Sequence, residues 1–522
     1  MKNTKKYLAT TALAAVTALA VAGCGGGSST PSSTPSDSLT LLVPNTFTSL
    51  DPAFVNDSST KVIVDLMYDR LVAVDNKSGK IQPQLASSWE ITPTSARFDI
   101  AKDAKCADGS SFTAQTALKN FERMKDPAKP SPKSNSAFSG TAYEASVEGN
   151  SVKLTFAKPI PFPERRVSDY ITMVCDAGLA DPAALEKSSF GTGPYVLESA
   201  TAADTYQLRL RDDASAYTWG VNGAKITDKM PKKITVRMLK DNDTAINLIN
   251  SGRADALLTS ESAAKRVSDV KSTVVAETGN TYLLFNHRTG SQAESTDVRI
   301  AVSQLIDRNG YLQTSANGVG KTATSLTAAD GQCSATDVAK LPEGGAEAAT
   351  KTLEKAGWTK TDGKWMKDGK PLTFRLLNAG EPPAGAQYLS TVLSEFGIDG
   401  KLDTRSGAEA VAALRSGEEW EGVLMSTGSS TPPLTLLQGL IPPKGSNFGA
   451  IKNQKFDNAV TKAITTGTGG DCSLWNTAEQ ALLDQADLNP LTTSSLVFVS
   501  PTWNLGDSTV AASLIPTSLE SR

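Results

Sequence analysis

The sequence predicts an α/β protein of two or three lobes with mixed sheets. Three observations lead there. Setting aside the first 23 residues, read below as a leader, leaves 499 of 522, which is long for a single core. An apolar fraction of 39% with 20% charged residues matches a soluble globular body. Helix-period and strand-period segments alternate through most of the chain.

The leader comes first. Lys2, Lys5 and Lys6 precede an uncharged run from Leu8 to Ala22, too short to span a hydrocarbon core of about 30 Å comfortably. The run closes on Val21-Ala22-Gly23-Cys24, which resembles the lipobox of bacterial lipoproteins. That resemblance implies a signal peptide over 1–23 and a lipid on Cys24. Residues 24–38 are almost all Gly, Ser, Thr and Pro, a composition that buries little and predicts a flexible tether. The expected location is extracytoplasmic, lipid-anchored to the outer face of the cell membrane. No later stretch is long and apolar enough to span a bilayer. Losing the three lysines takes the formal charge from −3 to −6, and no basic run remains, so nucleic acid is not an expected partner.

From residue 39 the elements follow in order. Leu39–Val43 reads as a buried strand and 44–52 as a loop. Ser59 or Thr60 is placed to cap a helix whose apolar face is Ile63, Leu66, Met67 and Leu71. Arg97–Ala101 and Ser151–Phe156 read as strands, with a Thr113-capped helix between them. Pro194–Glu198 and Tyr206–Leu210 form an expected hairpin. Strand Ile234–Leu239, helix Thr244–Asn250 and strands Asp255–Leu258 and Thr281–Asn286 follow. Val298, Ala301, Val302, Leu305 and Ile306 line one helix face. Helix Ala346–Ala356 stops at Gly357, and Leu372–Leu377 is a strand. A helix with Leu389, Leu393 and Phe396 on one face stops at Gly397. Helix Ala408–Arg415, strand Gly422–Ser426 and strand Leu496–Val499 complete the series.

Motifs for chemistry are sparse. Gly318-Val319-Gly320-Lys321-Thr322 has the look of a phosphate loop, but Ser315 stands where its first glycine belongs and the motif follows a helix. His287 is the single histidine and reads as a surface or hinge residue. There is no Gly-x-Ser-x-Gly elbow, no His-Glu-x-x-His and no calcium-loop spacing. No catalytic residue, metal site or cofactor is expected. Cys106, Cys175, Cys333 and Cys472 are even in number, which in an exported protein suggests two disulfides, with three pairings open.

A set of short stretches resembles one family, the bacterial extracellular solute-binding proteins of family 5, which serve ABC importers of oligopeptides and dipeptides. They are Leu50-Asp51-Pro52, Leu66 to Val72, Ile81 to Trp89, Arg97 to Ile100 and Ala107 to Ala114. Gly191 to Tyr195, Ile249 to Asp255, Asp297 to Ala301 with Ile306-Asp307-Arg308, Leu353 to Trp358 and Phe396 to Ile398 follow. Each is weak alone; their order and spacing carry the resemblance. It implies a periplasmic-binding-protein-like fold of type II, with two hinged lobes and an inserted third subdomain. Lobe I would comprise 39–58, 190–282 and 488–522, the insert 59–189 and lobe II 283–487. Pairing Cys106 with Cys175 and Cys333 with Cys472 keeps each bridge inside one such part.

The implied function is capture of a peptide between the lobes and delivery to the permease subunits of an importer, by a monomer that is not an enzyme. The alternatives are the same fold holding a metal chelate, an opine or an oligosaccharide, and a sensory lipoprotein. By position in the family pattern, Thr46, Phe47 and Thr48 would line the cleft from one lobe. Ser426, Thr427, Gly428 and Ser429 would line it from the other, their small polar groups suiting a ligand backbone. Asn286 is a further candidate, and Trp420 either stacks on a ligand side chain or fills the core. Many peptide binders of the family carry an Asp after the strand matching Gly422–Ser426, to pair with the ligand's amino group. Thr427 to Leu434 contains no acid. Glu381 is a speculative substitute.

Overall fold

The computed structural model describes residues 37–55, 57–75, 80–129, 131–138, 141–201, 204–327, 333–405, 407–416, 420–428, 447–466, 472–506 and 516–521. Cys24, residues 25–36 of the expected tether and Ser429 lie outside them; Ser38, expected to end the tether, instead opens the first strand. Fifteen strands place the site: β1 (Ser38–Val43), β2 (Ala86–Thr92), β3 (Ser95–Ile100), β4 (Tyr143–Glu148), β5 (Ser151–Phe156), β6 (Tyr195–Thr201), β7 (Thr205–Leu210), β8 (Lys233–Met238), β9 (Ala256–Ser260), β10 (Ser272–Phe285), β11 (Lys321–Thr322), β12 (Thr373–Asn378), β13 (Asp399–Thr404), β14 (Gly422–Gly428) and β15 (Leu488–Ser500).

One mixed sheet runs β13-β12-β14-β10-β15-β9-β1-β8-β7-β6, with β11 added on β15. Its axis is the long antiparallel ribbon β10–β15. A first wing, β9-β1-β8-β7-β6, hangs on the β15 edge, and a second, β14-β12-β13, hangs on the β10 edge. β1 is parallel to both neighbours, β8 and β9, and is apolar on both faces, as a covered parallel strand must be. Leu39, Leu41 and Val43 enter one core with Val236, Leu258 and Phe498. Leu42 faces the other way, with Leu257, Val497 and Val499 under the helix Asn242–Asn250. The second wing repeats the scheme. Leu283, Phe285 and Leu376 pack on one side, Leu284, Leu377 and Val423 on the other.

Residues between the first helix and β6 form a separate antiparallel sheet, β2-β3-β5-β4, with its own core around Phe98, Phe121, Val152 and Leu154. Two features tie this insert to its surroundings. Asp69 is buried and accepts hydrogen bonds from Gln84 Nε2 (2.8 Å), Thr192 Oγ1 (2.9 Å), Tyr217 OH (3.1 Å) and Trp219 Nε1 (3.1 Å). Phe162, before the helix Pro163–Tyr170, adopts the left-handed conformation (φ 51°) and is 2% exposed. Its ring lies in a core of the second wing, 5.9 Å from that of Trp475. Disulfides join Cys106 to Cys175 and Cys333 to Cys472.

Two expectations are corrected. The helix Ser58–Met67 is capped by Asp57, not by Ser59 or Thr60. Asp57 Oδ1 accepts from Thr60 N–H at 2.7 Å, and the hydroxyls of Ser59 and Thr60 instead accept from the backbone of Asn45 and Thr48. The strands read as Thr281–Asn286 and Leu496–Val499 are the ends of ribbon strands of 14 and 13 residues. Their middles carry bulges at Val275/Glu277 and Thr281/Tyr282, and there the apolar pattern lapses.

The helix Pro163–Tyr170 also carries Asp169, whose carboxylate oxygens are out of reach of solvent and have no hydrogen-bond partner. Burial raises its pKa from 3.8 to about 6, against the pull of Arg165, Arg70 and Lys61. The folded state thus holds this proton more tightly than the unfolded chain. The contribution is complete below pH 3.8 and is lost as pH rises through about 6. Asp169→Asn is expected to remove about 3 kcal/mol from the fall in stability between pH 4 and pH 7.5. Urea unfolding at the two pH values reads this, and equal falls in both proteins would refute it.

Candidate functional site

The register of the ribbon brings the carboxyl ends of the parallel strands of both wings to one place. Ser260, the last residue of β9, pairs with Leu496 of β15. Gly428, the last residue of β14, pairs with Gly279 of β10, which pairs with Ser494. Two residues along β15 therefore separate the two sets of strand ends. Crevices at such ends, where connectivity changes direction, are where open α/β sheets hold ligands.

β10 covers one edge of β15 along almost its whole length, so β9 and β11 share the other. β9 takes residues 496–499 and β11 takes 492–493. Among the described residues no strand pairs with Ser494 or Ser495 on that edge. A cavity of about 360 Å³ opens over the gap. Thr273, Thr493 and Ser495 of the ribbon line it, with Thr322, Ser325 and Thr327 opposite and the aliphatic Val275 and Val497 between. Among the described residues its charged lining comprises Glu261, next after β9, and Lys321 of β11.

The loop after β11 is fixed from behind. Glu479, on the helix Cys472–Asp484, is 1% exposed and accepts from Ser325 Oγ (2.6 Å), Leu326 N–H (2.7 Å) and Thr327 Oγ1 (2.8 Å). Burial raises its pKa and these three donors oppose the rise. The Cys333–Cys472 bridge holds the far end of the same segment to the same helix.

The residues expected at the site fall into three groups. Thr46 and Thr48 are exposed on the loop after β1, and Thr48 Oγ1 donates to Asp57 at 2.6 Å. Phe47, Asn286 and Trp420 are interior. The Phe47 ring stands edge-on to Tyr206 in the first core. Asn286 Nδ2 donates to Trp420 O at 2.8 Å, and Trp420 Nε1 donates to Ala413 O at 3.0 Å. These three side chains stabilise their surroundings and do not reach the cavity. Ser426, Thr427 and Gly428 pair with Thr281, Asn280 and Gly279, level with the gap but on the far edge of β10. None of Thr46, Thr48 and Ser426 is among the described residues that line the cavity.

Glu381 accepts from Thr281 Oγ1 at 3.3 Å. Thr281 and its neighbour Asn280 point to opposite faces of the strand, and Asn280 reaches Ser325 of the cavity wall at 3.5 Å. Glu381 therefore stands on the face away from the cavity.

Sequence reasoning passed over Glu261 and the Thr322–Thr327 wall. One signal was in view, the Gly-Val-Gly-Lys-Thr motif. Gly318 and Gly320 have φ of +74° and +103°, and a Cβ on Gly320 would stand 2.5 Å from Thr493 O. The glycines let the chain turn and lie against β15, which presents Lys321 at the cavity and makes no phosphate loop. His287 stands apart, its Nε2 3.5 Å from Asp487 Oδ1, and burial with the charge of Arg299 lowers its pKa to about 3. It is neutral at pH 7. Among the described residues no cluster of His, Cys, Asp and Glu could hold a metal ion, and no helix is long and apolar enough to cross a membrane.

Residues 80–446 match the model of the bacterial extracellular solute-binding proteins, family 5 Middle. The chain is 23% identical over 486 residues to the glutathione-binding protein GsiB of Shigella dysenteriae serotype 1 (strain Sd197), covering 88% of this chain and 89% of that one. A substrate-binding protein from Microbacterium hydrocarbonoxydans, solved with 4-hydroxybenzoate hydrazide, superposes with a TM-score of 0.72 at 24% identity, covering 93% and 100% of the two chains. The oligopeptide-binding protein AppA of Bacillus subtilis, solved with a nonapeptide, gives 0.70 at 16% identity, covering 94% and 100%.

Proposed function

Because the chain belongs to the bacterial extracellular solute-binding proteins of family 5, we propose that it captures short peptides at the ribbon and delivers them to the permease of an ABC importer. The observation that carries this reading is the cavity over the uncovered edge of β15, where the strand ends of both wings converge. Backbone N–H and C=O groups on a strand edge pair with a peptide whatever its side chains, and hydroxyls with trapped water tolerate varied ones. The names of GsiB and AppA point the same way. The role is binding without chemistry, in keeping with the family and with a single histidine that is no part of the cavity wall.

We take the first wing as lobe I, 39–58, 190–282 and 488–522, the second wing as lobe II, 283–487, and 59–189 as the inserted subdomain. Hinge movement would occur where β10 and β15 pass between wings, near residues 282 and 487. We place the protein outside the cytoplasm, held by a lipid on Cys24 and a tether that ends before β1, and working as a monomer. Mass spectrometry of material released on denaturing freshly purified protein tests the ligand. A set of short peptides is the expected result, and one defined non-peptide compound would overturn the peptide reading. Solution scattering tests the motion, with a smaller radius of gyration expected once peptide is added and an unchanged one counting against closure.

A further inference from the structure

A second cavity lies away from β15, at the seam between the insert and the second wing. Its volume is about 150 Å³, and it shares no described lining residue with the cavity over the ribbon. The insert supplies two walls. One is the end of β2 and the turn after it, Ile91 to Pro93, and the other is Ile160 to Glu164, which runs into the helix Pro163–Tyr170. The second wing supplies the third, through Ala463 and Ile464 near the end of the helix Gln454–Thr465. These walls are stiff. Pro93, Pro161 and Pro163 have φ fixed by their rings. Ile160 N–H donates to Pro93 O at 2.8 Å, and Arg166 Nε donates to Pro161 O at 2.8 Å. Among the described residues one charged side chain lines the space, the half-buried Glu164. There its carboxylate has no ion pair, and its one hydrogen bond comes from its own backbone N–H. The adjacent Arg165 and Arg166 donate to backbone carbonyls, Arg165 to Asp75 O (3.1 Å) and Arg166 to Pro161 O. Burial raises the pKa of Glu164 above 4.5, with its own N–H and the two arginines opposing the rise.

Size and charge together define what fits. Apolar space of about 150 Å³ holds a benzene-sized molecule. Ile91, Ile160, Phe162 and Ile464 offer such a molecule apolar contact, while the carboxylate stands at one side without a counter-charge. A neutral hydrocarbon would fill the space and leave the carboxylate dehydrated, which is costly. An anion would bring a second negative charge to it. A cation placed beside it returns the stabilisation that burial takes away. We propose that this seam is a second binding site, for a small primary amine with an apolar body of about six carbons, its ammonium on Glu164 and its body among the prolines and isoleucines. The walls belong to two parts of the molecule, so the amine holds the insert against the second wing, beside the contact of Phe162 with Trp475. A compound other than the carried solute thereby biases where the insert sits. This goes beyond the solute-capture reading and does not depend on what that solute is.

The test uses the full mature protein and three probes of one shape, benzylamine, benzyl alcohol and benzoate, titrated by saturation-transfer NMR. The wild type is expected to bind benzylamine about tenfold more tightly than benzyl alcohol, as a charge-assisted hydrogen bond allows, and to show no binding of benzoate. Glu164→Gln should bring the amine down to the level of the alcohol and leave the alcohol unchanged. Thr92→Trp from the insert and Ala463→Leu from the facing helix should each weaken both probes by about tenfold or more, by filling the space. Thr92 is exposed, so its variant reports on the site even where Ala463→Leu disturbs the core. Benzylamine should also slow amide exchange in both helices, Pro163–Tyr170 and Gln454–Thr465. Equal affinity for amine and alcohol, binding untouched by Thr92→Trp, or slowed exchange on one side alone would overturn the proposal. Peptide binding is measured beside it: Glu164→Gln and Thr92→Trp should keep it, and a wild type that takes benzylamine but no peptide would sink the peptide reading alone.

Discussion

Asp69→Ala is expected to cost about 3–5 kcal/mol of folding stability, since it strips a buried acceptor from four donors at once. Those donors come from distant parts of the chain, Gln84 in the insert, Thr192 before β6 and Tyr217 and Trp219 beyond β7. All four donor residues are buried, so each donor left unpaired would carry its own desolvation cost. Asp69→Asn separates charge from shape. Its amide fits the space but turns a donor toward donors, so a smaller loss of about 2 kcal/mol is expected. Urea unfolding followed by tryptophan fluorescence measures both, because Trp219 itself is a partner. A loss under about 1 kcal/mol for the alanine variant would show that the insert is held by other contacts.

The disulfides are expected to matter as much. Cys106 and Cys175 are 69 residues apart and Cys333 and Cys472 are 139 apart. Restricting the unfolded chain over loops of that length stabilises by about 4 and 5 kcal/mol on chain-entropy grounds. Paired Cys→Ser variants should therefore unfold at clearly lower urea, and a reductant should destabilise the wild type but not the variant lacking both bridges. The two bridges differ in what else they do. Loss of Cys333–Cys472 loosens the segment forming one cavity wall, so it should also weaken peptide binding. Loss of Cys106–Cys175, inside the core of the insert, should lower stability with little change in affinity. Equal affinity changes would count against Glu479 and this bridge as joint supports of the wall.

Strands such as β1 and helices such as Thr296–Leu305 were legible because their apolar spacing answers to one or two covered faces. The ribbon was legible only at its ends. Its middle, with Asn280, Thr492 and Thr493, carries no apolar alternation to read, although these backbones pair. The candidate cavity was not legible either. Phe47 fills the first core and Trp420 takes the core alternative given for it, since an aromatic side chain gains more there than beside hydroxyls. Glu261 and Lys321 gave no local pattern to read. Their meaning depends on β9 and β11 meeting the same edge of β15, a long-range pairing that no window of sequence contains.

Phe162 has a kinetic meaning beyond its packing. It belongs to the insert but is lodged beside Trp475 in the opposite wing, with its backbone in a conformation that a bulky residue adopts at a cost. On the proposed hinge movement, parting the insert from the second wing would extract that ring and wet both aromatics, about 2–3 kcal/mol of apolar exposure. Release of a bound solute would then wait on a thermally activated unplugging step, slower in the cold, whose progress the emission of Trp475 would track.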